Sequence, residues 1–205
     1  MGNEKETKER LLASAKQEFM EKGYQGASLR NICKNAGVTT GALYFFFKDK
    51  EELFASLVQP VLGIVQKLMA EHMQQELLEL DEEYTGDFTE VSDDTYASEQ
   101  VVHVLYQNYD SVQLLLTKSQ GSKMAGCIDG FVEYAQENYR RLAEVQAKVS
   151  GVPTPDDYTI HWMAHMQIDA FVHLLTHERD EAKAIEHVHD IVKYLVAGWY
   201  ALFEQ

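Results

Sequence analysis

Apolar residues recur at steps of three and four along almost the whole chain, the spacing that gives a helix one buried stripe. In TKERLLASAKQEFMEK, residues 7–22, Leu11, Leu12, Ala15 and Phe19 share a face, and Gly23 follows in the position of a C-terminal cap. Ser28 stands as N-cap before LRNICKNA, where Leu29, Ile32 and Cys33 face inward and Gly37 ends the helix. Thr39 caps a third helix, TGALYFFF, and Asp49 a fourth, KEELFASLVQPVLGIVQKLMAEHMQQELLEL, which Pro60 is expected to kink or break. Within the third helix Leu43 and Phe47 are four apart and point inward, which leaves Tyr44 and Phe45 outward.

Periodicity fades over Glu79–Asp94, where DEE, TGD and SDD predict an acidic loop. Residues 96–118 form one or two helices, SQGS at 119–122 makes a break, and residues 123–149 form another long helix. GVPTPDD, 151–157, is the clearest linker, and helices follow over about 158–178 and 182–203. With three prolines in 205 residues, an all-α protein is expected.

Composition divides this helical chain in two. The net charge of −15 argues against a nucleic-acid partner when taken whole. Residues 1–50, however, hold nine Lys/Arg against six Asp/Glu, while residues 51–205 hold nine against 27. A basic amino-terminal segment on an acidic body suits a domain that approaches phosphates. Cys33 and Cys127 lack CxxC spacing, the charged start MGNEKETKER is no signal peptide, and no apolar run nears the roughly 18 residues of a membrane span. Residue 6 is Glu6, so the Met-Gly start is not a myristoylation signal. A cytoplasmic protein with reduced thiols, not engaged with a membrane, is the expectation.

Asn35-Ala36-Gly37-Val38 is a tight glycine-containing turn between two short helices, a helix-turn-helix whose second helix suits a DNA major groove. Thr40, Gly41 and Ala42 are small enough to let that helix approach base edges. Tyr44 offers a hydroxyl to a phosphate, and Lys48 and Lys50 sit where the next helix begins. Residues 9–54, with EKGY, S-L-R-x-I, A-G-V and G-A-L-Y-x-x-F-K-x-K-E-x-L in order, closely resemble the DNA-binding domain of the tetracycline-repressor (TetR/AcrR) family. The resemblance implies a three-helix DNA-binding domain over residues 1–50 and a helical ligand-binding and dimerisation domain over 51–205. It implies a homodimeric transcription regulator, usually a repressor that leaves a double-stranded operator when a small molecule binds. Carried over by position, Ser28 touches phosphate, Arg30 reaches a base or phosphate, and Thr39, Thr40, Gly41 and Ala42 line the groove. Tyr44 and Lys50 anchor phosphates, with Phe45 beside the groove and Lys48 nearby. Phe46 stands where family members often carry histidine, and Cys33 where a small alanine is usual.

In the remaining chain, Ile185, Val188, Ile191 or Val192, Leu195, Trp199 and Leu202 form a stripe that suits a dimer interface or an internal core face. Tyr106, Tyr109, Phe131, Tyr134, Trp162, Met163 and Met166 are candidates to line an apolar ligand cavity. His161, His165, Asp169, His173 and His177 recur every four residues in HWMAHMQIDAFVHLLTH. His165, Asp169 and His173 are ligand types for zinc or iron, and a helical metal- or haem-binding sensor is the alternative reading. Steps of four drift by about 40° each, so five such residues cannot converge on one ion without outside help, for instance from His103 or His72. Partly buried or solvated histidines are the plainer account. No glycine loop for phosphates and no HExxH is present, so neither an enzyme nor a resident cofactor is expected.

Overall fold

Short helices at the amino terminus are set by glycine breaks and by carboxylates. The computed structural model describes residues 2–81 and 92–204. Helix α1 spans Gly2–Gly26 and is broken at Gly23, whose φ of 68° and ψ of 169° no helix contains. Helix α2 spans Leu29–Ala36, and Gly37, at φ 66°, closes it in the left-handed conformation that glycine adopts at least cost. Helix α3 spans Thr40–Phe46, with the Thr39 hydroxyl accepting from the Ala42 amide at 3.2 Å. Helix α4 spans Lys50–Asp81, and Asp49 accepts from the Glu52 amide at 2.8 Å while Glu52 accepts from the Lys48 amide at 2.6 Å.

Ser28 departs from expectation. Its hydroxyl makes no capping bond. Instead the buried carboxylate of Glu18, on α1, accepts from the Ser28 amide at 3.1 Å and the Asn31 side chain at 3.3 Å. A charged acceptor from a neighbouring helix therefore replaces the local hydroxyl. Ser14 adds a second tie, donating to the Ile32 carbonyl at 2.9 Å.

Two further differences lie in α4. It runs unbroken through Pro60, which is exposed, while Val58 and Val61 beside it stay buried, so apolar burial outweighs one lost backbone bond. The expected acidic loop is helical at both of its ends, because α4 reaches Asp81 and helix α5 spans Ser92–Gln107. The acidic side chains of Asp93 and Asp94 occupy the first turn of α5, where the helix dipole favours them. Residues 82–91 lie outside the described residues. The stretch Lys50–Leu77 is also long and apolar enough on average to cross a membrane, which a search for one unbroken apolar run misses. Its Leu53, Phe54, Val58 and Val61 are buried among protein side chains.

Helix α6 spans Tyr109–Lys118, a 3-10 turn covers Lys123–Gly126, and helices α7, α8 and α9 span Cys127–Ser150, Asp157–His177 and Glu181–Ala201. The predicted breaks at 119–122 and 151–157 are present, with Asp156 and Asp180 capping the last two helices. The described residues are all-α.

The chain forms two compact units. Residues 1–64 join 108–127 in the first, and residues 65–107 join 128–205 in the second. In the first unit Leu11, Ala15, Phe19, Ile32, Leu43, Phe47, Leu53, Phe54, Leu114 and Leu115 share one core. Phe19, Tyr24 and Phe54 pack at its centre, with Phe19 and Phe54 edge to face at 5.0 Å. Glu51 links three segments there: it accepts from the Tyr24 hydroxyl at 2.7 Å and from the Lys123 amide at 2.8 Å. In the second unit α9 packs on α5 and α8. The Tyr106 hydroxyl donates to the Glu178 carbonyl at 2.8 Å, and His103 meets Glu181 at 2.5 Å. Of the α9 stripe, Val188 and Val192 are buried within this unit and serve its own core.

Glu18→Ala should lower unfolding stability by about 1.5–3 kcal/mol, the worth of hydrogen bonds to a charged group, as read from urea denaturation. Burial, then the hydrogen bond and charge of Glu51, raise the Tyr24 phenol to about 12. The folded form thus holds a proton that the unfolded chain releases near pH 10, so Tyr24 contributes stability below pH 10 that is lost as pH rises towards 12. Urea midpoints of Tyr24→Phe and the parent protein, compared across that window, should converge as the parent loses its advantage.

Candidate functional site

Helix α3 has only seven residues, too few to hold itself in water, and the buried Leu43 within it and Phe47 at its C-cap decide which way it faces. Leu43 is fully buried and Phe47 nearly so. On the other side Tyr44 is 57% exposed and Phe45 72% exposed, as the four-residue spacing predicts. Thr39, Thr40, Gly41, Lys48 and Arg30 are exposed as well, while Ser28 and Ala42 are half-buried. The outer side of α2 and α3 therefore carries hydroxyls, aromatic edges and cations, and lacks acidic side chains from Ser28 to Lys48.

Lys50 differs from the other cations. Its ammonium donates to the carbonyls of Gln25 at 3.3 Å and Ala27 at 3.2 Å and lies 4.7 Å from the centre of the Tyr24 ring. It thereby satisfies the frayed carboxyl end of α1. Most of its hydrogen-bonding capacity is spent inside the protein, whereas Lys48 and Arg30 are exposed.

A second site lies within the carboxy-terminal unit. A cavity of about 120 Å³ is lined by side chains that include His72 and Glu76 from α4, Asp94 from α5, Asn138 from α7 and Trp199 from α9. Tyr134 is the one predicted ligand residue in its lining. Phe131 is buried in the core, Met163 and Met166 are half-buried, Trp162 is 51% exposed, and none of the four borders this cavity. Tyr106 is committed to the Glu178 carbonyl, and Tyr109 belongs to the amino-terminal unit. No lysine or arginine is among the described lining residues, whereas Glu76 and Asp94 both are.

His72 donates towards Asp94, with Nε2 and Oδ1 3.1 Å apart. Burial opposes a charge on this imidazole, but the hydrogen bond to Asp94 and the charges of Asp94, Glu76 and Asp93 outweigh it and raise His72 above its ordinary value. Burial, then Asp94 and Glu76, push the Tyr139 phenol well above the usual range. Asn138 is only 5% exposed, and its amide nitrogen has no hydrogen-bond partner among the described residues.

The histidine series on α8 is not gathered into a site. His161 stacks edge-on with His165 at 4.6 Å and contacts Gln136, while His173 and His177 stack at 4.0 Å. His165 is half-buried, whereas Asp169 and His173 are exposed. Eight residues separate His165 from His173, about 12 Å along the axis, too far for one ion. Among the described residues, the grouping of ligand atoms close enough for an ion is His72, Glu76 and Asp94, all within 4.8 Å of one another. Asp94 lies in the stretch that patternless acidity marked as loop, so the third member of this group carried no helical signal.

Residues 11–57 match the family model described as bacterial regulatory proteins, tetR family. The chain is 45% identical over 53 residues to the HTH-type transcriptional repressor BepR of Brucella suis, covering 26% of this chain and 25% of that protein. It is 44% identical over 52 residues to the HTH-type transcriptional regulator AcrR of Shigella flexneri, covering 25% and 24%. The match thus spans about a quarter of the length of these relatives. Along the whole fold, a transcriptional regulator from Aquifex aeolicus superimposes with a TM-score of 0.61 at 23% identity, over 92% of this chain and 99% of that one. The regulator FadR of Bacillus subtilis, solved with stearoyl-CoA, follows at 0.55 and 14% identity, over 92% and 97%.

The two tryptophans provide a check on the cavity. In Trp162→Phe the emitting residue is Trp199, at the cavity, and iodide should quench it weakly. In Trp199→Phe the exposed Trp162 remains, and quenching should be several-fold steeper in a Stern–Volmer titration.

Proposed function

We propose, from the match of residues 11–57 to the tetR family model of bacterial regulatory proteins, that the chain is a dimeric transcriptional regulator. It acts as a repressor that a small molecule releases from a palindromic operator, in the cytoplasm. The observation that carries this reading is the outward side of α2 and α3, where aromatic and basic side chains stand exposed above a packed core. Each α3 enters a major groove. Thr39, Thr40, Gly41 and Ala42 approach base edges, and Ser28, Arg30, Tyr44 and Lys48 contact phosphate or sugar, with Phe45 beside the groove. Lys50 contributes by holding the end of α1 against α4 more than by touching DNA.

Residues 1–50 are the reading head in this proposal, and the helices beyond them bind the effector and the second copy. Half-site contacts from two copies fit a palindrome with centres one or more helical turns apart. Exposed apolar residues at the carboxy-terminal helix, Tyr194 on α9 and Leu202 just after it, are the surface offered to a partner copy. The cavity beside α4 is the effector's place. Its small volume and its two carboxylates, with no lysine or arginine in the lining, favour a small cationic ligand over a long anionic acyl chain. A coupling of about 1–3 kcal/mol between that cavity and the head would change operator affinity about 5- to 150-fold.

Enrichment of random duplex DNA on the purified protein should yield a palindromic motif. On that motif, Tyr44→Ala and Lys48→Ala should each weaken binding by roughly tenfold, and Lys48→Ala should reduce the salt slope by about one. Lys50→Ala should lower thermal stability and leave the salt slope nearly unchanged. No enriched sequence at low salt, or unchanged binding in the first two variants, overturns the proposal.

A further inference from the structure

We propose that His72, Glu76 and Asp94 form a binding site for a divalent first-row transition ion inside the cavity of the carboxy-terminal unit. His72 and Glu76 are one turn apart on α4 and so share a face, and Asp94 reaches them from the first turn of α5. Two helices thus supply the ligands from two directions, which a series along one helix cannot do.

The distances suit an ion. Zinc bonds to imidazole nitrogen and carboxylate oxygen at about 2.0–2.2 Å, which sets neighbouring ligand atoms on a tetrahedron about 3.4 Å apart. His72 Nε2 and Asp94 Oδ1 are already 3.1 Å apart, and the three ligand atoms all lie within 4.8 Å of one another. Side-chain rotation about one or two bonds closes the remainder. One imidazole with two carboxylates is a donor set for zinc, manganese, iron or cobalt, harder than a thiolate site. It brings two negative charges to one ion.

Asn138 is an independent pointer to an occupant. It borders the same cavity, is nine-tenths buried, and its amide N–H groups have no acceptor among the described residues. A buried amide left in this state costs about 1–3 kcal/mol unless something accepts from it. Three protein ligands leave an ion at least one open position for water or another oxygen ligand. The cavity volume, about 120 Å³, suits an ion with a few waters or one small oxygen-bearing co-ligand.

This inference names the ligand class of the cavity and so rests on reading it as the effector's place, but metal binding is measured without DNA. The test uses the full-length, untagged protein stripped with a chelator and titrated calorimetrically with Zn²⁺, with Co²⁺ absorption as a second readout of coordination. One ion per chain should bind, and Co²⁺ should give visible bands. Glu76→Gln and Asp94→Asn should each weaken Zn²⁺ binding by more than about tenfold, at least what loss of an orienting partner costs a metal site. His173→Ala should leave it unchanged. No stoichiometric binding to the parent protein, or equal binding in the two carboxylate variants, overturns the site. Operator affinity of the same stripped sample reports separately on the regulator: its loss would count against that reading while the metal result stands.

Discussion

Burial of Leu43 and Phe47 is the constraint on which the outer surface of the amino-terminal unit depends. A seven-residue helix has too few internal hydrogen bonds to persist alone, so its orientation comes from what its inner side is packed against. Once those two residues sit in the core with Phe19 and Phe54, Tyr44 and Phe45 have nowhere to go but out. The four aromatics in succession therefore do two different things. Phe47 closes the core, and the first two stand exposed on the outer side of α3.

Buried and half-buried charges do the fastening around that core. Glu18 holds the start of α2, Glu51 joins α1 to the turn at Lys123, and Lys50 caps the end of α1. Each spans segments distant in sequence and satisfies backbone groups that helix ends would otherwise leave bare. The basic excess of residues 1–50 is consequently not all available to a polyanion. Part of it works inward, and the outward share comes from side chains such as Arg30 and Lys48.

Helix positions and most breaks were legible because they follow from local rules. Glycine at positive φ ends α2, and Thr39 and Asp49 cap where hydroxyl and carboxylate side chains normally do. Contacts across the sequence left no such mark. Nothing near Ser28 reveals that Glu18, ten residues earlier, takes over its capping role. The cavity shows the same limit: aromatic residues were legible as a class, but Phe131 and Tyr106 fill the core while Tyr134 borders the opening. His72 and Glu76 are as close in sequence as any pair in the α8 series. Their partner Asp94 lies across a segment without periodicity, so only the fold brings the three together.

Helix α6 gives the amino-terminal unit an unusual ancestry in the chain. Leu114 and Leu115, more than fifty residues beyond the last turn of the helix-turn-helix, are built into the same core as Leu11 and Phe54. Gly121, at φ 84°, takes a conformation that side chains rarely adopt, and the exposed Gln25 side chain at the end of α1 lies over it. A head made this way is not an exchangeable cassette. Recombination that joined residues 1–64 to a foreign body would sever the core from its mid-chain half, and only bodies bringing a matching α6 would inherit a working head. Change in the first 64 residues and change in 108–127 are thus tied together through one shared core.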